Sequence, residues 1–320
     1  MTAAFRLGQI LRGHKACYTL TKELQDTVWL ATYEDANVSS NPNKQPVIIK
    51  AVQHFRLENE RDALKRFQGQ TPFIRPLLDE IVDPPDPPAI VLRHLDDHLL
   101  NASNSRTLTS REIKYVARRI LEALKLLHGE GFVHTDVKPD NVLVNYGSGN
   151  GDIRFTDVQL ADMGATLPAD SSYAKDGVMI GAPIWRSPEA HLQIGWSTAT
   201  DIWSFGALIL ALIYGDNFFI FCPDVSFDHE EYLLRILTRQ CSFFGPFPLS
   251  YQEIAGEETL AILAYIHESL PPEKQKPFRR ISAKEVSAED RDFLLKVMKM
   301  DPRDRPTAAE LLEDDWFRGN

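Results

Sequence analysis

Apolar and polar residues follow two different patterns along the chain. The first third contains short runs rich in apolar, β-branched and aromatic residues, which predict strands: CYTLTKEL, TVWLATY, PVIIKAV, LLDEIV and AIVLRHL. Within that third, only residues 57–67 place apolar side chains at helical spacing. The first third therefore predicts a β-rich unit that contains one main helix.

The rest of the chain predicts helices. Thr109 begins a Thr-Ser-Arg-Glu sequence typical of a capped helix start, and apolar residues then recur every third or fourth position. Further helices are predicted over residues 199–214, 230–238, 289–300 and 307–312. The pattern predicts an α+β fold with a small lobe over about residues 1–94, a hinge near residues 93–97 and a larger helical lobe over about residues 95–320. A ligand is expected in the cleft between the lobes.

Composition narrows the class of protein. Of the 320 residues, 43% are hydrophobic and 25% are charged, as in a soluble globular protein. The formal net charge of −10 repels nucleic acid phosphates, so no direct nucleic acid partner is expected. The most apolar run, FGALILALIY, is too short to cross a bilayer, and no membrane partner is expected.

The cysteines and the N-terminal segment indicate an intracellular protein. The chain has three cysteines at wide spacing, an odd number that gives neither a disulfide framework nor a zinc motif. Arginine and glycine interrupt the apolar residues of MTAAFRLGQILRGHK, which therefore lacks the apolar core of a signal peptide. A reducing compartment, cytoplasmic or nuclear, is expected.

The sequence HTDVKPDN, residues 134–141, contains the first candidate catalytic residues. Asp136 can accept a hydroxyl proton, Lys138 can reach a phosphate group in transfer, and Asn141 can hold a divalent cation. Phosphoryl transfer needs these functions because its transition state is stabilised mainly by positioning and charge neutralisation. The alternative is that three polar side chains only decorate a surface turn.

A second candidate follows the next predicted strand. Asp162 precedes Met163 and Gly164, and an aspartate at a strand end beside a flexible glycine is suited to binding Mg²⁺. Asp-Met-Gly alone is a weak signal. Its place after the loop at 134–141 strengthens the interpretation of both segments.

Six motifs in a fixed order resemble those of the eukaryotic protein kinase domain. They are Val-Ile-Ile-Lys50, the loop at 134–141, Asp162-Met-Gly164, Ser187-Pro-Glu189, Asp201-Ile-Trp-Ser-Phe-Gly206 and Asp301-Pro-Arg-Asp-Arg305-Pro-Thr. The resemblance covers roughly residues 18–317 and implies the bilobal protein kinase fold, as a single domain over residues 1–320. It also implies ATP and Mg²⁺ as cofactors.

The resemblance assigns chemical roles to the polar residues. Asp136 and Lys138 would be catalytic, and Asn141 and Asp162 would bind Mg²⁺. Ser187-Pro-Glu189 would close the activation segment through an ion pair between Glu189 and Arg305, and Asp201 would organise the backbone of the catalytic loop. These last roles are structural.

The resemblance also implies a nucleotide site. Lys50 would contact the α- and β-phosphates and pair with Glu60, whose helical neighbours are apolar at suitable offsets; Glu58 is then a solvated surface charge. The residues expected around adenine are Val28, Ile48, Leu92, Arg93, Leu95 and Leu143. Leu92 and Leu143 could equally be ordinary core residues.

Other features imply an acceptor and a subgroup. Lys138 is typical of kinases that phosphorylate serine or threonine. The HTD sequence, the TVWLA strand and the long segment at 240–288 are similar to SR-protein kinases and their fungal relatives. This similarity implies a protein substrate that is basic or Ser/Arg-rich.

The main departure from the family is the glycine-rich loop that covers the phosphates. The two strands that should flank it, CYTLTKEL and TVWLA, are separated by Gln25 and Asp26 only. This predicts a shortened hairpin without its glycines, and lost backbone hydrogen bonds to phosphate, each worth roughly 1.5–3 kcal/mol, would weaken ATP binding. An alternative register uses Gly8 and Gly13 as the loop.

Three substitutions also depart from the family. Ile48 is larger than the usual alanine above adenine. Ala182 lacks the threonine hydroxyl that usually steadies the catalytic aspartate. Thr135 replaces the arginine that would bind a phosphorylated activation segment, so activity is not expected to depend on phosphorylation there.

Two functions are consistent with these residues. The first is a Ser/Thr protein kinase that transfers the γ-phosphate of ATP to protein hydroxyls. The second is a pseudokinase, a binding or scaffold module with weak or no catalysis. Retention of the catalytic and metal residues favours the enzyme, while the shortened hairpin and Ile48 favour the scaffold.

Overall fold

The computed structural model describes residues 5–33, 45–147 and 151–318. The N-terminal part is one sheet closed into a barrel with the strand order β1-β2-β3-β4-β6-β5, and a single helix, α1, follows β4. Its elements are β1 (Ile10–Gly13), β2 (Cys17–Gln25), β3 (Val28–Tyr33), β4 (Gln45–Ala51), α1 (Phe55–Phe67), β5 (Leu77–Asp83) and β6 (Ala89–Arg93). The five predicted strands and the predicted helix are confirmed.

Strand β1 was not predicted, and it closes the barrel. It pairs with β2, with Ile10 opposite Thr19, and with β5, with Gly13 opposite Ile81. A side chain at Gly13 would place its Cβ 2.3 Å from the Asp79 carboxylate, so only glycine fits there. The alternative register of the phosphate loop is therefore wrong, because Gly13 closes the sheet instead of forming a loop.

The hairpin between β2 and β3 is as short as the sequence predicts. Gln25 lies opposite Val28, so Asp26 and Thr27 alone form the turn. Val28 in turn lies opposite Lys50 on β4. Most of the hairpin tip is exposed, including every residue of β2 from position 21 to 25.

The C-terminal part is mainly helical. Its helices are α2 (Leu99–Ser105), α3 (Ser110–Gly129), α4 (Ser172–Lys175), α5 (Pro188–His191), α6 (Ala199–Tyr214), α7 (Tyr232–Phe244), α8 (Glu257–Ser269), α9 (Ala288–Val297) and α10 (Ala308–Leu312). Thr109 and Glu112 form the predicted capping box of α3. Helix α7 begins and ends later than predicted, α9 ends earlier than predicted, and α2, α4, α5 and α8 were not predicted.

Short strands carry the loops of the cleft. β9 (Val142–Tyr146) pairs with β10 (Phe155–Leu160) and with β7 (Asp97–His98), and β8 (Phe132–Val133) pairs with β11 (Leu167–Pro168). The loop at 134–141 thus runs between β8 and β9, and Asp162 follows β10. Part of the turn between β9 and β10, residues 148–150, lies outside the described residues.

A single large apolar cluster joins the two parts. It includes Ile48 and Leu92 of the barrel, Leu64 of α1, Leu124 of α3 and Leu208 of α6. Helix α6 is buried along nearly its whole length, so it forms a rigid base for the loops above it. Across the described ranges, no helix is long and apolar enough to span a membrane.

Candidate active site

Strand β4 and helix α1 bring a lysine and a glutamate together. Glu60 lies on the buried face of α1 beside Leu57 and Leu64, which anchor that face in the core. Lys50 Nζ lies 2.6 Å from Glu60 Oε2, whereas Glu58 is exposed. The pairing with Glu60 is confirmed, because the helical period places position 60 inward and position 58 outward.

Lys50 also reaches the segment after β10. Its Nζ lies 3.0 Å from Asp162 Oδ1, so one ammonium bridges two carboxylates. Burial opposes the charged ammonium, but Glu60 and Asp162 outweigh it and raise the pKa of Lys50. Burial also opposes ionisation of Asp162, yet Lys50 holds the pKa of that carboxyl below its usual value. The site therefore keeps an ionised Asp162 at neutral pH.

Asp201 anchors the loop at 134–141 from below. It lies on buried helix α6 and accepts hydrogen bonds from the backbone amides of His134, at 2.8 Å, and Thr135, at 2.9 Å. His128 Nε2 lies 3.0 Å from the same carboxylate. The predicted role of Asp201 is confirmed, and the loop is held by charge-assisted bonds to a rigid element.

Three groups hold the carboxylate of Asp136. Lys138 Nζ lies 2.8 Å from Oδ2, and Asn141 donates to the same oxygen at 2.9 Å. The backbone amide of Ala182 donates to Oδ1 at 3.3 Å. Position 182 therefore contributes a backbone donor to Asp136, a contact that the sequence does not reveal, but not the hydroxyl that the family usually has there.

Asn141 and Asp162 could bind a divalent cation. The amide nitrogen of Asn141 donates to the carbonyl and the carboxylate of Asp136, which leaves its side-chain oxygen available. Ala161 N donates to the backbone carbonyl of Asn141 at 2.8 Å and so links the two loops. Two oxygen ligands fit Mg²⁺, which usually takes few protein ligands together with phosphate and water. The described residues hold no cluster of three or more acidic, His or Cys side chains that could bind a metal.

The apolar residues predicted around adenine lie on several strands and differ in their burial. Ile48 lies opposite Leu92, and both belong to the large core cluster, against which Val28 packs. Leu95 is buried just after β6. Leu143 is half-buried on β9, opposite His98, and is outside that cluster. The bulk of Ile48 is accommodated in the core beside Leu92.

Arg75 is a residue that the sequence reasoning missed. Its Nε donates to the backbone carbonyl of Arg93 at 2.8 Å, and Arg93 is one of the residues expected around adenine. Burial lowers the pKa of Arg75 to about 10, against the opposing effect of Glu60 and Asp162. The Arg93 guanidinium forms an ion pair with Asp157, in which a terminal guanidinium nitrogen lies 3.2 Å from Asp157 Oδ2. No motif marks Arg75, because its position depends on the pairing of distant strands.

Glu189 and Arg305 form the predicted buried ion pair. The guanidinium donates twice, at 2.6 and 2.8 Å, and both side chains have no exposed surface. The Arg305 guanidinium also lies over the ring of Trp203, 5.1 Å from its centroid. This pair joins the beginning of α5 to the segment that precedes α10.

Similar proteins extend these observations. Residues 43–317 match the family model described as the protein kinase domain. The chain is 25% identical over 220 residues to the serine/threonine-protein kinase shk1/pak1 of Schizosaccharomyces pombe, which covers 69% of the chain and 26% of that protein. It is 29% identical over 210 residues to the serine/threonine-protein kinase STE20 of Kluyveromyces lactis, which covers 66% of the chain and 16% of that protein.

These relatives support the family and not the predicted subgroup. Both are named as serine/threonine-protein kinases, and neither is named as an SR-protein kinase. The matched part of each is a minor fraction of a longer protein. The match over residues 43–317 covers most of the chain, with its β-rich N-terminal and helical C-terminal parts, so the chain belongs to the protein kinase domain family.

Proposed function

We propose that the chain is a Ser/Thr protein kinase that transfers the γ-phosphate of ATP to protein hydroxyls, as a single domain over residues 1–320. The observation that carries this proposal is the arrangement of Asp136. Its carboxylate is held on both oxygens by Lys138, Asn141 and Ala182. A scaffold that only binds would not need a carboxylate fixed in this way.

Each residue has a distinct part in the proposed reaction. Asp136 orients the acceptor hydroxyl and takes its proton, and Lys138 neutralises charge that develops on the phosphate in transfer. Lys50, held by Glu60, binds the non-transferred phosphates. Asn141 and Asp162 would hold Mg²⁺, which when bound neutralises phosphate charge.

The acceptor is proposed to be a basic or Ser/Arg-rich protein. The net charge of −10 favours a basic partner through long-range attraction. Such association should weaken steeply with salt. A comparison of Ser/Arg-rich and acidic peptides of equal length, at two salt concentrations, tests this part separately from catalysis. The cytoplasm or the nucleus is the proposed location.

A second candidate, a pseudokinase scaffold, is favoured by one observation. The turn at Asp26 and Thr27 contains no glycine, and it places an exposed carboxylate on the hairpin that should cover phosphates. Such a turn offers few backbone donors and repels a polyanion. Weak or absent ATP binding would follow.

Phosphate transfer from labelled Mg-ATP to a Ser/Arg-rich protein separates the two candidates. The chain should label the acceptor, and Asp136→Asn should reduce the rate by about 10²–10⁴-fold, the usual contribution of a positioned general base. Equal labelling by both proteins would exclude the enzyme. A thermal shift with millimolar Mg-ATP is the companion measurement, and the absence of any shift would favour the scaffold.

A further inference from the structure

Three consecutive backbone carbonyls after Asp162 are held by side chains from the two parts of the molecule. Asn59 of α1 donates to the carbonyl of Gly164 at 3.0 Å and to that of Thr166 at 2.8 Å. The hydroxyl of Thr135, in the loop at 134–141, donates to the intervening carbonyl of Ala165 at 2.8 Å. We call residues 163–166 the held turn.

The two donors are adjacent to residues of the proposed reaction. Asn59 precedes Glu60, which pairs with Lys50, and Thr135 precedes Asp136. The held turn directly follows Asp162. A shift of the held turn would therefore move Asp162, the proposed metal ligand, relative to the Lys50–Glu60 pair and to Asp136.

Thr135 has a backbone conformation that a β-branched residue rarely adopts. Its φ is 70°, in the left-handed region that favours glycine, asparagine or aspartate. Its amide is bound by Asp201 and its hydroxyl by Ala165, and the residue is buried. Strain of this kind persists only where the surrounding contacts impose it. The hydroxyl bond is a specific reason for a hydroxyl side chain at this position.

The held turn also packs closely on α1. A Cβ at Gly164 would lie 3.0 Å from the carbonyl oxygen of Arg56, so a larger residue there would require the turn or the helix to shift by a few tenths of an ångström. Thr166 is 2% exposed, and its hydroxyl is buried at Met163. The hydroxyl of Thr166 is thus not accessible to a modifying enzyme in this arrangement.

We propose that Asn59 and Thr135 are positioning residues that hold the segment after Asp162 in its metal-binding arrangement without phosphorylation. The proposal rests on the proposed kinase function and adds a mechanism for its regulation. Asn59 and Thr135 would hold the turn directly. In kinases with an arginine at the position of Thr135, a contact between that arginine and a phosphorylated segment would serve this purpose. Departure of α1 would break both bonds of Asn59 together with the Lys50–Glu60 pair.

Amide hydrogen exchange on the full chain without nucleotide tests the contacts directly. The variants are Asn59→Leu, which removes the amide group that makes two hydrogen bonds, and Thr135→Val, which removes the hydroxyl and keeps the side-chain shape. Amides of residues 163–167 should exchange about 10-fold faster in each, because one or two hydrogen bonds are lost. Unchanged exchange in both variants would overturn the proposal.

Matched controls separate positioning from general destabilisation. Thr135→Ser keeps the hydroxyl and should restore slow exchange, and Glu58→Gln changes an exposed neighbour on α1 and should have no effect. In the double variant Asn59→Leu/Thr135→Val, the acceleration of exchange should be smaller than the product of the two single accelerations, since both side chains act on one turn. Faster exchange spread over all elements, with no recovery in Thr135→Ser, would contradict a specific role.

Kinetic measurements connect the contacts to regulation. In Asn59→Leu and Thr135→Val the Mg²⁺ concentration for half-maximal transfer should rise at least about 5-fold, while the KM for the acceptor peptide stays unchanged. Phosphatase treatment of the wild-type chain should leave its rate unchanged, and a loss of rate would overturn the proposal. If the wild-type chain transfers no phosphate, the proposed function fails, whereas the exchange result still decides whether the turn is held.

Discussion

The loop at 134–141 and the β2–β3 hairpin lie on the two sides of the proposed nucleotide cleft, and they are built in opposite ways. The loop is bound to buried Asp201, and its carboxylate Asp136 has three donors. The hairpin has a two-residue turn, and the end of β2 is exposed. The first side is held by many polar contacts, whereas the second is a short, exposed turn.

The difference between the two regions indicates that the catalytic arrangement and the affinity for nucleotide depend on different parts of the molecule. Residues that position the acceptor hydroxyl act only if they are fixed within a fraction of an ångström. Backbone donors over the phosphates mainly add binding energy, which other groups can supply. A kinase can therefore lose its phosphate cover and become a weaker binder of ATP without losing its catalytic arrangement.

The largest expected effect is a loss of stability when the anchor of the loop at 134–141 is changed. Asp201→Asn replaces an acceptor oxygen by an amide that cannot accept from His134, and it removes the charge beside His128. Two bonds to a charged group are weakened, at roughly 1.5–3 kcal/mol each, so unfolding free energy should fall by about 3 kcal/mol or more. Urea unfolding measures this. Glu23→Gln in the hairpin is the control, and its effect should stay within about 0.5 kcal/mol.

The next effect concerns the hairpin. Replacement of Asp26 and Thr27 by a six-residue loop of the form Gly-x-Gly-x-x-Gly should tighten Mg-ATP binding by about 10- to 100-fold, because new backbone amides reach the phosphates. Calorimetric titration measures the dissociation constant. A loop of equal length made of serine and asparagine is the control. Equal affinities for the two loops would show that phosphate cover does not limit binding.

A smaller effect should depend on pH. Burial and the neighbouring Arg186 lower the pKa of His191 to about 3, and its Nε2 lies 2.9 Å from the carbonyl of Pro183. In the unfolded chain a histidine has a pKa of about 6.5, so the unfolded state binds more protons between those values. Stability should fall as pH drops below about 6.5, by up to about 1.4 kcal/mol per unit.

The variant His191→Asn isolates this contribution. Its unfolding free energy should change less between pH 7 and pH 5 than that of the wild type, although the variant is less stable at pH 7. His229→Asn, which changes an exposed histidine, should keep the wild-type slope. Parallel slopes for His191→Asn and the wild type would contradict a buried neutral His191.

The smallest effect is electrostatic. Asp26→Asn removes an exposed negative charge from the hairpin turn and should strengthen Mg-ATP binding about 2- to 5-fold at low salt. At about 0.5 M salt the difference should disappear, because exposed charges are screened over a few ångströms. A difference that persists in high salt would indicate a change of loop conformation instead.

The local signals in the sequence were sufficient for most elements. The capping box at Thr109 and Glu112 is formed within one turn, and the inward face of α1 follows from helical period, so both were predictable. The two-residue hairpin also follows from local spacing. Strand β1 was missed because ILRG is a short segment and because its pairing partners include β5, which is distant in the sequence.

The contacts of the site that were missed all join distant residues. Asn59 and the Gly164 carbonyl are 105 residues apart, and nothing near Asn59 indicates that its amide has such partners. Ala182 acts through its backbone, which every residue has. Motifs predict the residues with unusual chemistry, whereas backbone donors and long-range polar contacts appear only in the folded chain.

The closed barrel has a consequence for the order in which the chain assembles. The amides of His14 and Lys15 are bound by the carboxylate of Asp79, which is 65 residues further along the chain than His14. During synthesis, β1 can pair with β2 early, but its second edge must wait until β5 leaves the ribosome. Until then one edge of the first strand has unpaired backbone groups, which could pair with a strand of another chain.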